Sequence, residues 1–338
     1  MNQANDRTTT FPGTVGGRSS RESWWKRAIR TRYWPIVLAL VLLIGYFSMT
    51  TQYFLSFNNM VTILSQVSVL GIAAVGETMV ILLAGIDLSV GAVIAVAGVL
   101  SASWALSGAP VPIAMLAAVG IGLTIGVING VFTYIWRMAS FIVTLAMMSF
   151  ASGMALIVTN GSTVFGFPNS FNVLGSATIG GIPLSVGILV LVFVLGHLVL
   201  RYTSFGRQVY AVGGNVSAAR LSGVNVVGVG IVVFAISGGL AGLASIIEVG
   251  RLASAIPIAG QDLALSTIAA VIIGGTSLFG GVGTLPGTAL GVLLIGVLNN
   301  GLAISNVSAF WDQAIQGIVI FVAVAIDAWV QRRFGARS

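Results

Sequence analysis

The chain has no cysteine, one histidine (His197) and a single lysine, Lys26, among its fifteen basic residues. Without cysteine there is no disulfide framework and no thiolate to act as nucleophile or metal ligand. One histidine makes no metal-binding cluster and cannot be set beside any particular serine as a catalytic base. A phosphate-cradling loop needs a lysine at the end of its glycine-rich turn. Lys26 lies in the polar N-terminus, so the glycine-rich stretch 274–283 is not such a loop. No catalytic residue, metal or cofactor is therefore assigned, and any ATP chemistry sits on another polypeptide. Charge is scarce as well: 7% of the 338 residues, against roughly 25% in an average soluble domain. With 57% of residues hydrophobic, the chain cannot clothe a water-facing surface. Its 44 glycines follow no Gly-X-Y period, which excludes collagen; they suit close helix packing and interrupted helices in a bilayer.

What charge there is sits at the ends of apolar runs. Arg7, Arg18, Arg21, Lys26, Arg27, Arg30 and Arg32 precede the first run, and Arg332, Arg333 and Arg337 follow the last. That placement is what membrane topology demands, and it makes a nucleic-acid stripe the poorer reading of the +7 net charge. Residues 1–32 read as a disordered, basic, cytoplasmic N-terminus, and 332–338 as a basic cytoplasmic tail. The run from Pro35 to about Met49 reads as an uncleaved first span. A signal peptide is disfavoured by the long polar lead and the missing small-x-small cleavage site. Further runs at 60–84, 88–107, 111–135, 139–158, 183–200, 226–249, 263–280, 284–304 and 312–330 each approach the roughly 20 residues that cross a bilayer. The expected fold is thus an all-α polytopic membrane protein of about ten transmembrane helices filling 33–331, with both termini cytoplasmic. On that topology every basic residue except Arg251 lies inside. Trp34, Trp104, Trp136, Trp311 and Trp329 fall near span ends, as interfacial anchors do.

Two stretches break the helical pattern: Ala84-Gly85-Ile86-Asp87-Leu88-Ser89-Val90-Gly91 and Gly274-Gly275-Thr276-Ser277-Leu278-Phe279-Gly280-Gly281. In the first, Asp87 is placed to N-cap a helix starting near Leu88; in the second, Thr276 or Ser277 is placed likewise. Asn129-Gly130 and Asn299-Asn300-Gly301 form a looser echo, and together these pairs suggest two weakly related halves with interrupted helices. Simple helix punctuation is the plainer alternative. Glu77, Asp87, Glu248 and Asp327 lie in or beside apolar runs. An ionised carboxylate at mid-bilayer costs roughly 2.5–3.5 kcal/mol on insertion scales, so each must face protein, water or an interface. Glu248 and Arg251, three apart, can pair on one helix face. His197 reads as interfacial. Gln66, Glu77, Asp87, Ser89, Asn129, Thr276, Ser277 and Asn299 are the candidates for a translocation path or helix break, with helix–helix hydrogen bonding as the alternative role.

The loop 201–225 holds Arg201, Arg207 and Arg220 and no acid. Asn215 or Ser217 can cap a short helix that Gly223 ends. Ala218 and Ala219 would let that helix sit deep in a partner's groove, with Arg220 against an acidic wall. Within it, Ser217-Ala-Ala-Arg-Leu-Ser-Gly223 resembles the Ala-Ala-x-x-x-Gly core by which permeases of ATP-binding-cassette (ABC) importers engage their ATPases. The motif's leading Glu is Ser217 here, a departure similar to that of the ribose-type sugar permeases. Gly85-Ile-Asp-Leu-Ser-Val-Gly91, Phe205-Gly-Arg-Gln-Val-Tyr-Ala-Val-Gly-Gly-Asn215, Ile273-Gly-Gly-Thr-Ser-Leu-Phe-Gly-Gly-Val-Gly-Thr284 and Gly296-Val-Leu-Asn-Asn-Gly301 resemble the same family.

The resemblance implies a transport subunit of the bacterial inner membrane, without an ATPase site of its own, that moves a ribose-like pentose, a hexose or a polyol by alternating access. Its implied partners are a second permease copy, a cytoplasmic ATP-binding subunit docking at Arg207, Gly214, Asn215, Ala218, Ala219, Arg220 and Gly223, and a periplasmic or lipid-anchored sugar-binding protein. A proton-coupled secondary transporter using Glu77, Asp87 or Glu248 is the alternative; a membrane-embedded enzyme lacks the groups it would need.

Overall fold

The computed structural model describes residues 33–305 and single positions beyond them up to 325. The arm 1–32, most of the expected span 312–330 including Asp327 and Trp329, and the tail 332–338 lie outside the described residues. Five helices come first: α1 (Trp34–Thr50), α2 (Phe57–Leu82), α3 (Val90–Leu106), α4 (Val111–Tyr134) and α5 (Ser140–Thr159). A 3-10 turn (Asn169–Asn172), the short α6 (Val173–Ser176) and a two-stranded antiparallel ribbon, β1 (Thr178–Ile179) with β2 (Ile182–Pro183), follow. Then come α7 (Leu184–Tyr202), α8 (Ser204–Gly214), α9 (Val216–Leu221), α10 (Val226–Leu252), α11 (Leu263–Ile273) and α12 (Leu285–Ile304).

The helix starts follow local chemistry. Pro35 stands in the first turn of α1, where its missing N–H costs nothing. Ser56, Asn225 and Thr284 cap α2, α10 and α12, accepting from the N–H of Asn59 (3.3 Å), Gly228 (3.0 Å) and Gly287 (3.3 Å). Among the described residues, α2, α4, α5, α7, α10 and α12 are six helices long and apolar enough to cross a membrane. α1 and α3, at 17 residues each, are a little shorter.

α2 is buried continuously from Val67 to Leu82 and forms the axis of the molecule with α10. α4, α5 and α7 instead present Leu116, Phe141, Phe150, Ile157, Leu191 and Val194 outward, as helices facing lipid do. α4 and α10 touch backbone to backbone through small residues. A Cβ on Gly126 would stand 3.0 Å from Ala235 Cα, and one on Gly242 would stand 2.8 Å from Val119 Cα.

The expected eighth span is the one that differs. Helix α11 covers only Leu263–Ile273 of the expected 263–280. After α10 the chain turns at Ala253 (φ +49°), and Ala255 exchanges 2.9 Å backbone bonds with Val164. Val249, near the end of α10, packs at Gly98 of α3, and the irregular chain that follows meets Gly91 of α3 through Gly260, backbone to backbone. Those two levels on α3 are about 10 Å apart at 1.5 Å per residue. Helix α11 therefore begins part-way along its neighbour, preceded by non-helical backbone packed against protein, the condition under which such backbone is tolerated at membrane depth.

Candidate functional site

The loop after α7 is a structured elbow. Thr203 Oγ1 accepts the Gly206 N–H at 3.1 Å to start α8, and Asn215 Oδ1 accepts the Ala218 N–H at 2.9 Å to start α9. Gly223, at φ +82°, closes α9: its N–H donates to the Arg220 carbonyl and the Val224 N–H to the Ala219 carbonyl, both at 3.0 Å. That pair of bonds is a Schellman closure, which needs the left-handed residue that glycine supplies. A six-residue helix does not persist alone in water, so α9 depends on these caps and on its buried side. On α9 that side is Ala219, which joins Val209 and Val212 of α8 in one cluster with Val226, Val229 and Phe234. Arg207, Gly214, Asn215, Ala218 and Arg220 are exposed, and Leu221, a large apolar group, is 90% exposed.

The root of the elbow is lodged between the two helix breaks. The Gly281 N–H donates to the carbonyl of Leu82, the last residue of α2, at 2.9 Å. Gly213, at the end of α8, lies against that same bond. A Cβ there would strike the Leu82 carbonyl oxygen and stand 2.7 Å from Gly281 N. Three segments distant in sequence thus meet at one backbone junction. Tyr210 Oη donates to the Gly283 carbonyl at 2.9 Å, and Tyr33 Oη bonds Thr284 Oγ1 at 2.6 Å. Burial and the nearby Tyr33 push the Tyr210 phenol above its ordinary range, with Arg201 opposing, so it keeps the proton it donates.

Around the first break lies a buried polar network. Asp87 N–H donates to Glu77 Oε1 (3.2 Å); Asp87 Oδ1 accepts from Ser89 N–H (2.9 Å) and Ser89 Oγ (2.5 Å); Asp87 Oδ2 accepts from Ser237 Oγ (3.3 Å). Asn129 Nδ2 donates to Ser89 Oγ at 2.9 Å, tying in α4. From α5, Ser140 Oγ accepts Ile86 N–H and Thr144 Oγ1 accepts Leu88 N–H, both at 3.1 Å. The broken backbone is thereby satisfied by side chains of its neighbours, which apolar surroundings require. Asp87 does not cap α3 as expected. The helix starts at Val90, the N-cap residue Ser89 makes no side-chain cap, and Asp87 closes an Asx turn one step earlier. At the second break the cap of the renewed helix is Thr284, not Thr276 or Ser277. Ser277 Oγ instead accepts the Phe279 N–H at 3.3 Å inside the turn.

Residues 59–324 match the family described as "Branched-chain amino acid transport system / permease component". The match takes in the elbow, both breaks and all three segments that meet at Gly213. The chain belongs to this permease family. The permease is 42% identical to the ribose import permease protein RbsC of Escherichia coli strain K12, over 93% of this chain and 98% of that one. It is 42% identical to RbsC of Bacillus subtilis strain 168, over 86% and 91%. The D-allose transport system permease protein AlsC of Escherichia coli strain K12 is 37% identical, over 88% and 91%. No solved structure matches the chain.

In the permease, the residues singled out from sequence divide by environment. Glu77, Asp87, Ser89 and Asn129 are gathered into one network at no more than 2% exposure, while Gln66 and Asn299 are half-buried on α2 and α12. The neighbour of Asn299 does what was looked for there: Asn300 and Asn59 exchange two amide hydrogen bonds of 2.9 Å. The asparagine echo is therefore not one of role, since Asn129 braces a break and Asn300 pins α12 to α2. Buried at 4%, Ala219 anchors α9 to its own chain, leaving Ala218 on the outward face. Glu248 and Arg251 form the local ion pair, with Arg251 Nη2 2.9 Å from both carboxylate oxygens. A cavity of about 340 Å³ beside the first break is bordered by Leu88, Ser149, Ser152 and Gln261 and by none of the expected path residues. Sequence reasoning passed over Ser149 and Ser152, because a serine in an apolar helix carries no sign of which way it points, and over Gly213, Tyr210 and Leu221.

Proposed function

We propose that the permease is the membrane subunit of an ABC importer that brings a small sugar across the bacterial inner membrane, powered by a separate ATPase subunit. The observation that carries the reading is the elbow: at its tip Ala218, Arg220 and Leu221 are exposed, while its root at Gly213 bears on both helix breaks. A push on the tip therefore has a short, backbone-to-backbone route to the segments that interrupt α2–α3 and α11–α12. The relatives support the cargo class, being named for ribose, D-allose and fructose import or transport. In this reading ten spans place both termini in the cytoplasm, two permease copies frame the path, and a periplasmic or lipid-anchored protein delivers the sugar. ATP binds only to the partner, whose closure drives alternating access.

Uptake into proteoliposomes tests it. With the ATPase subunit, the binding protein and internal ATP, labelled ribose, allose or fructose is expected to accumulate; omission of ATP or of either partner is expected to abolish accumulation. Accumulation by the permease alone under an imposed proton gradient would overturn the reading in favour of carriage on Glu77 or Asp87. The docking surface has its own test, capture of the ATPase subunit by the purified permease. Ala218→Glu, on the exposed face, is expected to weaken capture about tenfold with normal folded yield. Ala219→Glu would bury an unpaired carboxylate at a cost of more than about 3 kcal/mol, so folded yield itself is expected to fall. Normal yield of Ala219→Glu would show that α9 is not anchored as described.

A further inference from the structure

We propose that a pocket between the α4–α5 link and α9 is a socket for a carboxylate side chain of the ATPase subunit, with Arg137 and Arg220 as its paired cations. The inference rests on the importer reading and adds to it a contact outside the docking loop. The pocket, of about 470 Å³, is lined by Thr133, Tyr134, Arg137, Val216, Arg220 and Val226 among others. It brings together two arginines far apart in sequence, one from each side of the α4–α10 pair. Val216 and Arg220, four apart on α9, both border it, while Leu221 points into the open beside it. Whatever grips the tip of α9 is thus presented to this pocket as well.

Three observations give the occupant its chemistry. First, no carboxylate of the described residues lines the pocket. Glu77 and Asp87 belong to the first-break network, Glu248 is paired with Arg251, and Asp262 stands at the start of α11. Two arginines border this recess with no anion among the described residues, and a carboxylate is the group that accepts paired N–H bonds from a guanidinium fork. Second, the wall of the pocket holds an unmet polar group, the buried Thr133 hydroxyl, which has no hydrogen-bond partner among the described residues. Third, Arg137 is held at φ +55°, a backbone conformation that costs a non-glycine residue of order 1–3 kcal/mol. The turn that holds it is fixed by Met138 N–H to the Phe132 carbonyl at 3.2 Å. Tyr134 and the valines give the recess partly apolar walls, in which an ion pair is screened less than in open water.

The test is capture of the ATPase subunit by full-length permease in neutral detergent at low and high salt. Arg137→Glu is expected to lower capture at low salt by about tenfold or more and to flatten the salt dependence. Arg137→Lys, which keeps the charge and loses the fork, is expected to fall between. Restored capture by Arg137→Glu with an ATPase variant carrying Lys in place of the contacting Asp or Glu would fix the pairing. Wild-type capture levels for Arg137→Glu, with unchanged thermal unfolding, would overturn the socket and leave the importer reading standing. Absence of capture by the wild-type permease would count against the importer reading itself. A defect seen only in vesicles containing anionic lipid would assign the pocket to headgroup phosphates and overturn the proposal. Increased capture by Arg137→Glu would do the same, by showing that a cation at this position opposes docking.

Discussion

Gly213→Ala is expected to cut ATP-driven uptake by at least about tenfold, the effect of roughly 1.4 kcal/mol on a rate-determining step, while the ATPase subunit is still captured. The added methyl has no side chain to push aside. It would meet the Leu82 carbonyl and stand 2.7 Å from Gly281 N, the two ends of the 2.9 Å bond that joins the breaks. Either that bond opens or α8 withdraws, and an overpacked contact of this kind typically costs 1–3 kcal/mol. The exposed tip of α9 is separated from the clash by Asn215 and its cap, so docking is expected to survive while its consequence does not. Gly187→Ala on α7, where a Cβ meets nothing within 4 Å, is the matched control and is expected to transport normally. Uptake by Gly213→Ala equal to that control would show that the junction carries no coupling.

Asp87→Ala is expected to lower stability by at least about 2 kcal/mol and folded yield with it. The carboxylate accepts from Ser89 N–H, Ser89 Oγ and Ser237 Oγ, all buried, and a buried donor stripped of its acceptor costs roughly 1–3 kcal/mol. Part of that loss is offset because the variant no longer buries a carboxyl group. Asp87→Asn keeps one acceptor oxygen for Ser89 and is expected to lose about half as much. Thermal unfolding in detergent measures both. Equal stability of Asp87→Ala and wild type would mean that the first break is held by α5 through Ser140 and Thr144 alone.

The helices were legible because apolar runs near bilayer length leave the backbone little choice, and both breaks were legible because glycine and capping side chains interrupt those runs. The elbow was legible through Asn215 and Gly223, whose side chain and conformational freedom act within three residues of themselves. What escaped is whatever depends on partners remote in sequence. Gly213 is one of 44 glycines until Leu82 and Gly281 are set beside it. Thr276, Ser277 and Thr284 are equivalent as candidate caps until the turn's path is known, and which of Asn299 and Asn300 faces α2 depends on the rotation of α12. Ala218 and Ala219 differ by about 100° around a helix, and only the packing of α9 on Val226 and Phe234 says which is inward.

The short α11 has a consequence for how the protein is made. At 11 residues it is about 16 Å long, half of a hydrocarbon core of about 30 Å. As it leaves the ribosome it cannot partition into lipid as a segment in its own right, and the irregular stretch before it would expose bare peptide groups there. Part of its place is prepared by chain already inserted, by α2 and by Gly91 of α3, which meets Gly260 and Ala264. Membrane integration of this permease is therefore templated at that point: the half-helix enters against α2 and α3, and α12, which follows it, closes over Ala270 and Gly274.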